Sequence, residues 1–138
     1  VPNLFISPDA EHDLEELWEA NLKVASRITV LLEALQHDPD LLDRLSQHNY
    51  GQYGITDFDV SKWLSQWNQN NNLWRLKIKD LEQLGRHYRY RIIYAFLPRK
   101  QHYHVLAVIH RDKFNYETDP NHPITQRILK AYAILCDQ

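Results

Sequence analysis

In Leu73-Trp74-Arg75-Leu76-Lys77-Ile78-Lys79 the side-chain character alternates from Trp74 onward. In an extended chain successive side chains leave opposite faces, so Trp74, Leu76 and Ile78 would line one side and Arg75, Lys77 and Lys79 the other. The stretch therefore predicts a strand with one apolar and one cationic face. After a turn around Gly85 the alternation resumes over His87 to Leu97. Tyr88, Tyr90, Ile92, Tyr94 and Phe96 fall on one side, and His87, Arg89, Arg91, Ile93 and Ala95 on the other. Pro98-Arg99-Lys100 reads as a hairpin connection and Gln101 to His110 as a third, more buried strand. Three successive strands with short connections predict an antiparallel meander.

Upstream, Asn3 to Ile6 is a short apolar run, a strand, ending at Ser7-Pro8-Asp9, where Ser7 can cap a helix and Pro8 suits its first turn. Leu14, Leu17, Trp18, Leu22, Ala25, Ile28, Leu32 and Leu35 keep helical spacing as far as His37-Asp38-Pro39. Asn21 interrupts that stripe, so one long helix and a hairpin of two both fit. Asp38 can cap a short helix from Pro39 to about Gln47. His48 to Asn72 reads as loop around one helical turn near Val60 to Trp67, with Asn68 to Asn72 as a solvated turn. Ile124, Ile128, Leu129, Tyr132 and Leu135 give the C-terminal segment an amphipathic helix. The expected class is α+β, with N-terminal helices packed on one face of a small, mostly antiparallel sheet, a C-terminal helix, and a basic opposite face left accessible. Residues 1–138 are expected to form a single domain.

Composition narrows the function. The net charge of −2 hides a strong asymmetry. Residues 1–74 hold 4 Lys and Arg against 12 Asp and Glu, whereas residues 75–113 hold 10 against 3 and four of the eight histidines. An acidic half joined to a basic one suggests nucleic acid or an acidic protein as partner. No apolar run approaches bilayer length, so no membrane is expected. Val1 to Ser7 lacks the pattern of a secretion signal, and a lone Cys136 fits a reducing compartment; both point to the cytoplasm. His102 and His104 have metal-ligand spacing, but no cysteine or carboxylate pair completes a site, so neither metal nor cofactor is expected.

If the first two strands pair, Arg75 and Lys77 converge with Arg89 and Arg91. Like charges on neighbouring strands repel unless an anion occupies the site, which favours a functional reading of this face. The alternating aromatics opposite it read as core.

The order Leu73-Trp74-Arg75-Leu76-Lys77-Ile78, then Tyr90-Arg91-Ile92-Ile93-Tyr94, then Val105 to Ile109 followed by His110-Arg111 and Tyr116, resembles the RelE/ParE superfamily of bacterial type II toxins, the RelE-like branch above all. The resemblance spans roughly Phe5 to Leu129. It implies a toxin held by a cognate antitoxin and, for the RelE branch, a ribosome-dependent mRNA endoribonuclease (mRNA interferase). Such a hydrolase needs no metal: the ribose 2′-OH attacks the adjacent phosphorus, leaving a cyclic phosphate and a free 5′-OH. Carried over by position, Arg75 and Lys77 match the family's paired basic residues, Arg91 its central strand arginine, Arg111 the arginine after the last strand, and Tyr116 its C-terminal tyrosine. On that basis Arg91 and Arg111 would hold the scissile phosphate of mRNA on the ribosome, since a guanidinium binds phosphate bidentately. Lys77 would serve as base if its cationic neighbours lower its pKa, Tyr116 would stack on a base or polarise the 2′-OH, and His110 would be an acid or base. Arg75, Lys79, Arg89 and His87 would contact RNA.

Two alternatives come with the resemblance: a non-enzymatic ParE-like inhibitor that blocks DNA gyrase by contact, and a RelE-like fold without toxicity. The chain departs from the family pattern in its long His48–Asn72 segment, in extra residues between Lys77 and Arg91, and in its acidic net charge.

Overall fold

The computed structural model describes residues 2–114 and 121–137. The chain runs β1 (Asn3–Ile6), α1 (Pro8–Ala20), α2 (Leu22–His37), α3 (Pro39–Asp43), β2 (Phe58–Lys62), α4 (Leu64–Trp67), β3 (Leu73–Ile78), α5 (Lys79–Gln83), β4 (Tyr90–Leu97), β5 (His102–His110) and α6 (Pro123–Cys136). The five strands form one sheet in the order β1-β5-β4-β3-β2, with β1 parallel to β5 and the other pairs antiparallel. The expected α+β class and the β3–β4–β5 meander are both present.

Local chemistry sets the helix ends. Ser7 Oγ accepts the Ala10 N–H at 3.2 Å, with Pro8 in the first turn of α1. Asn21 resolves the open choice in favour of a hairpin: it ends α1, and its Oδ1 accepts the Val24 N–H at 3.2 Å, capping α2. Asp38 Oδ1 accepts the N–H groups of Asp40 and Leu41 and starts α3.

Two cores sandwich the sheet. On one face Val24, Ile28, Leu32 and Leu35 of α2 and Leu14 and Leu17 of α1 meet Leu76, Ile92, Tyr94, Tyr103 and Val105. Tyr94 is fully buried and donates its hydroxyl to the Leu45 carbonyl at 2.6 Å, so the aromatic alternation of β4 is indeed core. On the other face Leu73, Ile93, Ala95 and Ala107 pack with Trp63, Phe114 and Ile128 and Tyr132 of α6. A bulge between Ile93 and Tyr94 of β4 puts the neighbours Leu106 and Ala107 of β5 into this same core.

This second core corrects the expectation of an open basic face: α6, Trp63 and Phe114 cover much of it, leaving the cations to the end of β3 toward Ile78. Three boundaries also differ. His48–Asn72 contains a strand, β2, that pairs along β3, because Phe58 and Val60 supply a short apolar alternation that buries. β4 begins at Tyr90 rather than His87, since Arg86–Tyr88 wind into a 3₁₀ turn after Gly85, whose φ is +117°. Lys79 opens α5 instead of closing β3. The Asn/Gln run is structural where it meets the sheet: Asn72 Oδ1 accepts the Trp74 indole N–H at 2.6 Å, and the Asn72 N–H donates to the Tyr132 hydroxyl at 2.9 Å.

The β5 edge beyond β1 is closed by a side chain. Asp13 of α1 accepts the Val108 N–H at 2.9 Å and two N–H groups of Arg127 from α6, at 3.1 and 2.8 Å. Hydrogen bonding to Asp13 raises the Arg127 pKa further. Among the described residues no helix is long and apolar enough to cross a membrane.

Candidate functional site

The β2–β3 register places Ser61 opposite Arg75 and Asp59 opposite Lys77, all on the face of the second core. The Asp59 carboxylate lies diagonally across from Arg75 and bonds its guanidinium, while Lys77 Nζ is 4.0 Å from the other carboxylate oxygen. The β3–β4 register ends at Leu76–Ile92, one residue short of Lys77 and Arg91. Arg91 does not present itself to solvent. It is only 8% exposed, and its guanidinium bonds Glu82 of α5 at 3.0 Å and the Tyr90 carbonyl at 3.2 Å. The anions that the sequence left to a ligand are therefore supplied by the chain: two carboxylates, Asp59 and Glu82, stand among three cations.

An open cleft of about 560 Å³ lies between this ion-pair cluster and the loop at residues 48–52. His48, Asp59, Ser61, Lys62, Arg75 and Lys77 are among its lining. His48 Nδ1 accepts the Lys62 N–H at 3.0 Å, so that nitrogen carries no proton. Desolvation, then the charges of Lys62 and Arg75, hold the His48 pKa below its ordinary value.

His110 lies on the opposite face. It pairs with Tyr90, whose ring packs toward the first core, whereas Arg91 pairs with Ile109 of the second. Its Nδ1 accepts the Asp112 N–H at 3.0 Å, which puts the ring proton on Nε2, 2.8 Å from the Arg86 carbonyl. Both nitrogens thus serve the backbone. The Arg86–Asp112 ion pair closes the same turn, and hydrogen bonding by Arg86 draws the Asp112 carboxyl below the usual carboxylate range.

The remaining predicted residues are dispersed. Arg111 follows β5, its N–H donating to the Arg89 carbonyl at 2.9 Å, so these two arginines neighbour each other at the end of the β4–β5 ladder. Arg89 is exposed and precedes β4. Lys79 Nζ donates to the Gly54 carbonyl at 3.1 Å, and His87 sits exposed in the 3₁₀ turn, its carbonyl accepting from Asn21. Tyr116 lies outside the described residues. Arg75, Lys77 and Arg91 are thus gathered on one face, but His110, Lys79 and His87 do not join them. Sequence reasoning missed Asp59, Ser61 and His48. The alternation of Phe58-Asp59-Val60-Ser61 is the signal that could have placed the first two. His102 and His104 flank the Phe5 ring, His104 stacked on it at 5.0 Å, and among the described residues no group of three His, Cys, Asp or Glu side chains could hold a metal.

A family model described as ParE toxin of type II toxin-antitoxin system, parDE, matches residues 4–113. The chain belongs to this toxin family. The match runs from β1 through β5 to the turn after it, which takes in the α1–α2 hairpin and the whole sheet of this ParE-family toxin. No curated protein and no solved structure is significantly similar to it. The membership makes the protein the toxin of a toxin-antitoxin module and implies a cognate antitoxin.

Proposed function

We propose that this toxin acts by contact, blocking DNA gyrase in the ParE manner, and carries out no bond-making step of its own. The observation that carries the reading is the internal pairing of the sheet cations: Asp59 holds Arg75 and Lys77, and Glu82 holds a buried Arg91. Cleavage by 2′-OH attack needs a proton acceptor and free cations around the phosphate. Lys77 Nζ lies 4.0 Å from the Asp59 carboxylate, and His110 spends both ring nitrogens on the backbone. The family match to ParE toxins supports the same conclusion. The test is a supercoiling assay with purified gyrase, run beside a translation extract. Loss of supercoiling with intact messages is expected, and Lys77→Ala retains it. Ribosome-dependent cuts mapped by primer extension, with gyrase unaffected, overturn the reading.

One observation favours the mRNA endoribonuclease as a second reading: the cleft beside Arg75 and Lys77 is open and holds His48 and Ser61. In that case an RNA phosphate displaces Asp59 from Arg75, and Arg75→Ala abolishes the cuts.

A further inference from the structure

A second group of cations collects where β4 begins and β5 ends. Two short turns meet there, residues 86–89 before β4 and residues 110–113 at the end of β5. The Arg111 N–H donates to the Arg89 carbonyl at 2.9 Å, His110 Nε2 lies 2.8 Å from the Arg86 carbonyl, and the Arg86 guanidinium pairs with Asp112. His110 therefore braces one turn against the other, since its Nδ1 also accepts the Asp112 N–H at 3.0 Å. Together the turns carry four cations, Arg86, Arg89, Arg111 and Lys113, against one carboxylate, Asp112. Hydrogen bonding by Arg86, then the charges of Arg86, His110 and Arg89, hold the Asp112 carboxyl low, so Arg89 converges on the same carboxylate. The cluster differs from the one at Arg75. There a carboxylate side chain 8% exposed holds a guanidinium 16% exposed, and turning either to a ligand breaks a buried pair. Here the Arg86 and Asp112 side chains are 76% and 43% exposed, and Arg89 and Lys113 are exposed with them. An exposed pair contributes little to stability, so Arg86 can exchange Asp112 for an external anion at small cost.

We propose that this end of the sheet seats the phosphate backbone of duplex DNA. Arginines on two braced turns offer guanidinium forks to neighbouring phosphates, the kind of contact that positions a protein on DNA without reading its sequence. Tyr88 and Tyr90 pack toward the first core, which withholds their rings from unpaired bases and favours a duplex over a single strand. The exposed side chains of the two turns are Arg86, His87, Arg89, Asp112 and Lys113, all polar, whereas a protein partner calls for apolar anchors at the centre of its interface. The whole chain has a net charge of −2, so its attraction to DNA is local to this end. The choice of DNA over RNA rests on the gyrase reading, because an inhibitor seated on an enzyme that holds a duplex meets phosphates beside it.

The probe is a short, fluorescently labelled DNA duplex of mixed sequence, titrated with the full chain in the absence of gyrase and followed by anisotropy at several salt concentrations. About three phosphate contacts predict a slope of log K against log [salt] of about −3, each contact being worth roughly eightfold at about 0.1 M salt. Arg89→Ala and Lys113→Ala are each expected to reduce that slope by about one, and the double variant to weaken binding roughly sixtyfold at about 0.1 M salt. Arg89→Lys keeps the slope. Arg99→Ala removes the same charge from the exposed hairpin at the opposite end of β4 and changes neither slope nor affinity. All these positions are exposed, and circular dichroism verifies the fold of each variant. A toxin that does not bind the duplex, that prefers a single strand or an RNA duplex, or that loses as much affinity through Arg99→Ala as through Arg89→Ala overturns the proposal. Poly-glutamate that displaces the duplex at equal charge concentration also overturns it, since the surface then suits an acidic protein. With gyrase absent, these outcomes leave the gyrase reading standing, whereas a toxin that binds the duplex but leaves supercoiling intact refutes the gyrase reading alone.

Discussion

Asp13→Ala is the substitution whose cost the structure specifies best. Asp13 sits in α1 with a side chain only 12% exposed, and it serves three donors from two other elements: the Val108 N–H of β5 and two N–H groups of Arg127 in α6. Val108 N–H points from an edge that β1 is too short to cover, so truncation leaves it without an acceptor, at about 1–3 kcal/mol. Arg127 loses its hydrogen-bonded carboxylate and keeps only Asp9, 4.0 Å from an Nε that is buried without a hydrogen bond. Breaking a buried ion pair costs about 3–5 kcal/mol, and the 30% exposure of the Arg127 side chain lets water recover part of that. A total of about 2–4 kcal/mol is expected, a shift of roughly 6–16 °C in Tm for a chain of 138 residues. Urea unfolding followed by tryptophan fluorescence measures it. Asp13→Asn separates the two parts, because the amide oxygen can still accept from Val108 while the charge is gone, so its cost falls between wild type and Asp13→Ala. The double variant Asp13→Ala/Arg127→Ala should show a coupling of at least about 1 kcal/mol. Asp13→Ala within about 0.5 kcal/mol of wild type refutes the edge-capping argument.

Acid should weaken the fold through two histidines. Desolvation, then His102 and Lys100, lowers the His104 pKa, and desolvation, then Lys62 and Arg75, lowers that of His48. Each is neutral in the fold and takes up a proton on unfolding, so its stabilisation is complete above pH about 6.5 and is lost as pH falls through the folded value. Tm should therefore drop from pH about 7.5 to about 5, less steeply in His104→Asn; an identical slope in the variant counts against this assignment. Gly51 has φ of +78°, and an added Cβ would lie 2.2 Å from the Phe58 carbonyl oxygen, whereas Gly54, at φ +99°, has open space. Thermal melts should find Gly51→Ala destabilised by well over about 1 kcal/mol and Gly54→Ala by about 1 kcal/mol; equal costs would show that the close contact is immaterial. Tyr94→Phe removes the hydroxyl that satisfies the buried Leu45 carbonyl and should cost about 1–2 kcal/mol in urea unfolding, against none if that carbonyl finds another donor.

The fold was legible wherever the signal is local and periodic. β3 and β4 declare themselves by alternation, β5 by its buried apolar run, α1 and α2 by their helical stripe, and the caps at Ser7 and Asp38 by residue type. Asn21 could be seen as a break but not resolved, because an Asn tolerates a helix interior and also caps one; its bond to Val24 decides the matter only after α2 has a direction. β2 was hidden because its alternation is short and sits between Gly51 and Gly54 on one side and an Asn/Gln run on the other. Its strand character comes from pairing along β3, a contact that no window of sequence contains.

The same non-locality explains the site. Residues 75–113 are strongly basic and residues 1–74 strongly acidic, and a linear reading turns that asymmetry into a surface for a polyanion. Folding brings the two stretches into contact, and the charges are spent on each other: Asp59 of the acidic stretch meets Arg75 and Lys77 of the basic one, and Arg27 meets Asp80. Glu82 then neutralises Arg91 from within the basic stretch. Alternation identifies which cations share a face, because that depends only on strand geometry. Whether they are free depends on carboxylates brought in by β2 and α5. A cationic strand face is therefore evidence for a nucleic-acid site only after the partner strand has been identified, and here β2 supplies Asp59 at the position where a phosphate would otherwise have been required.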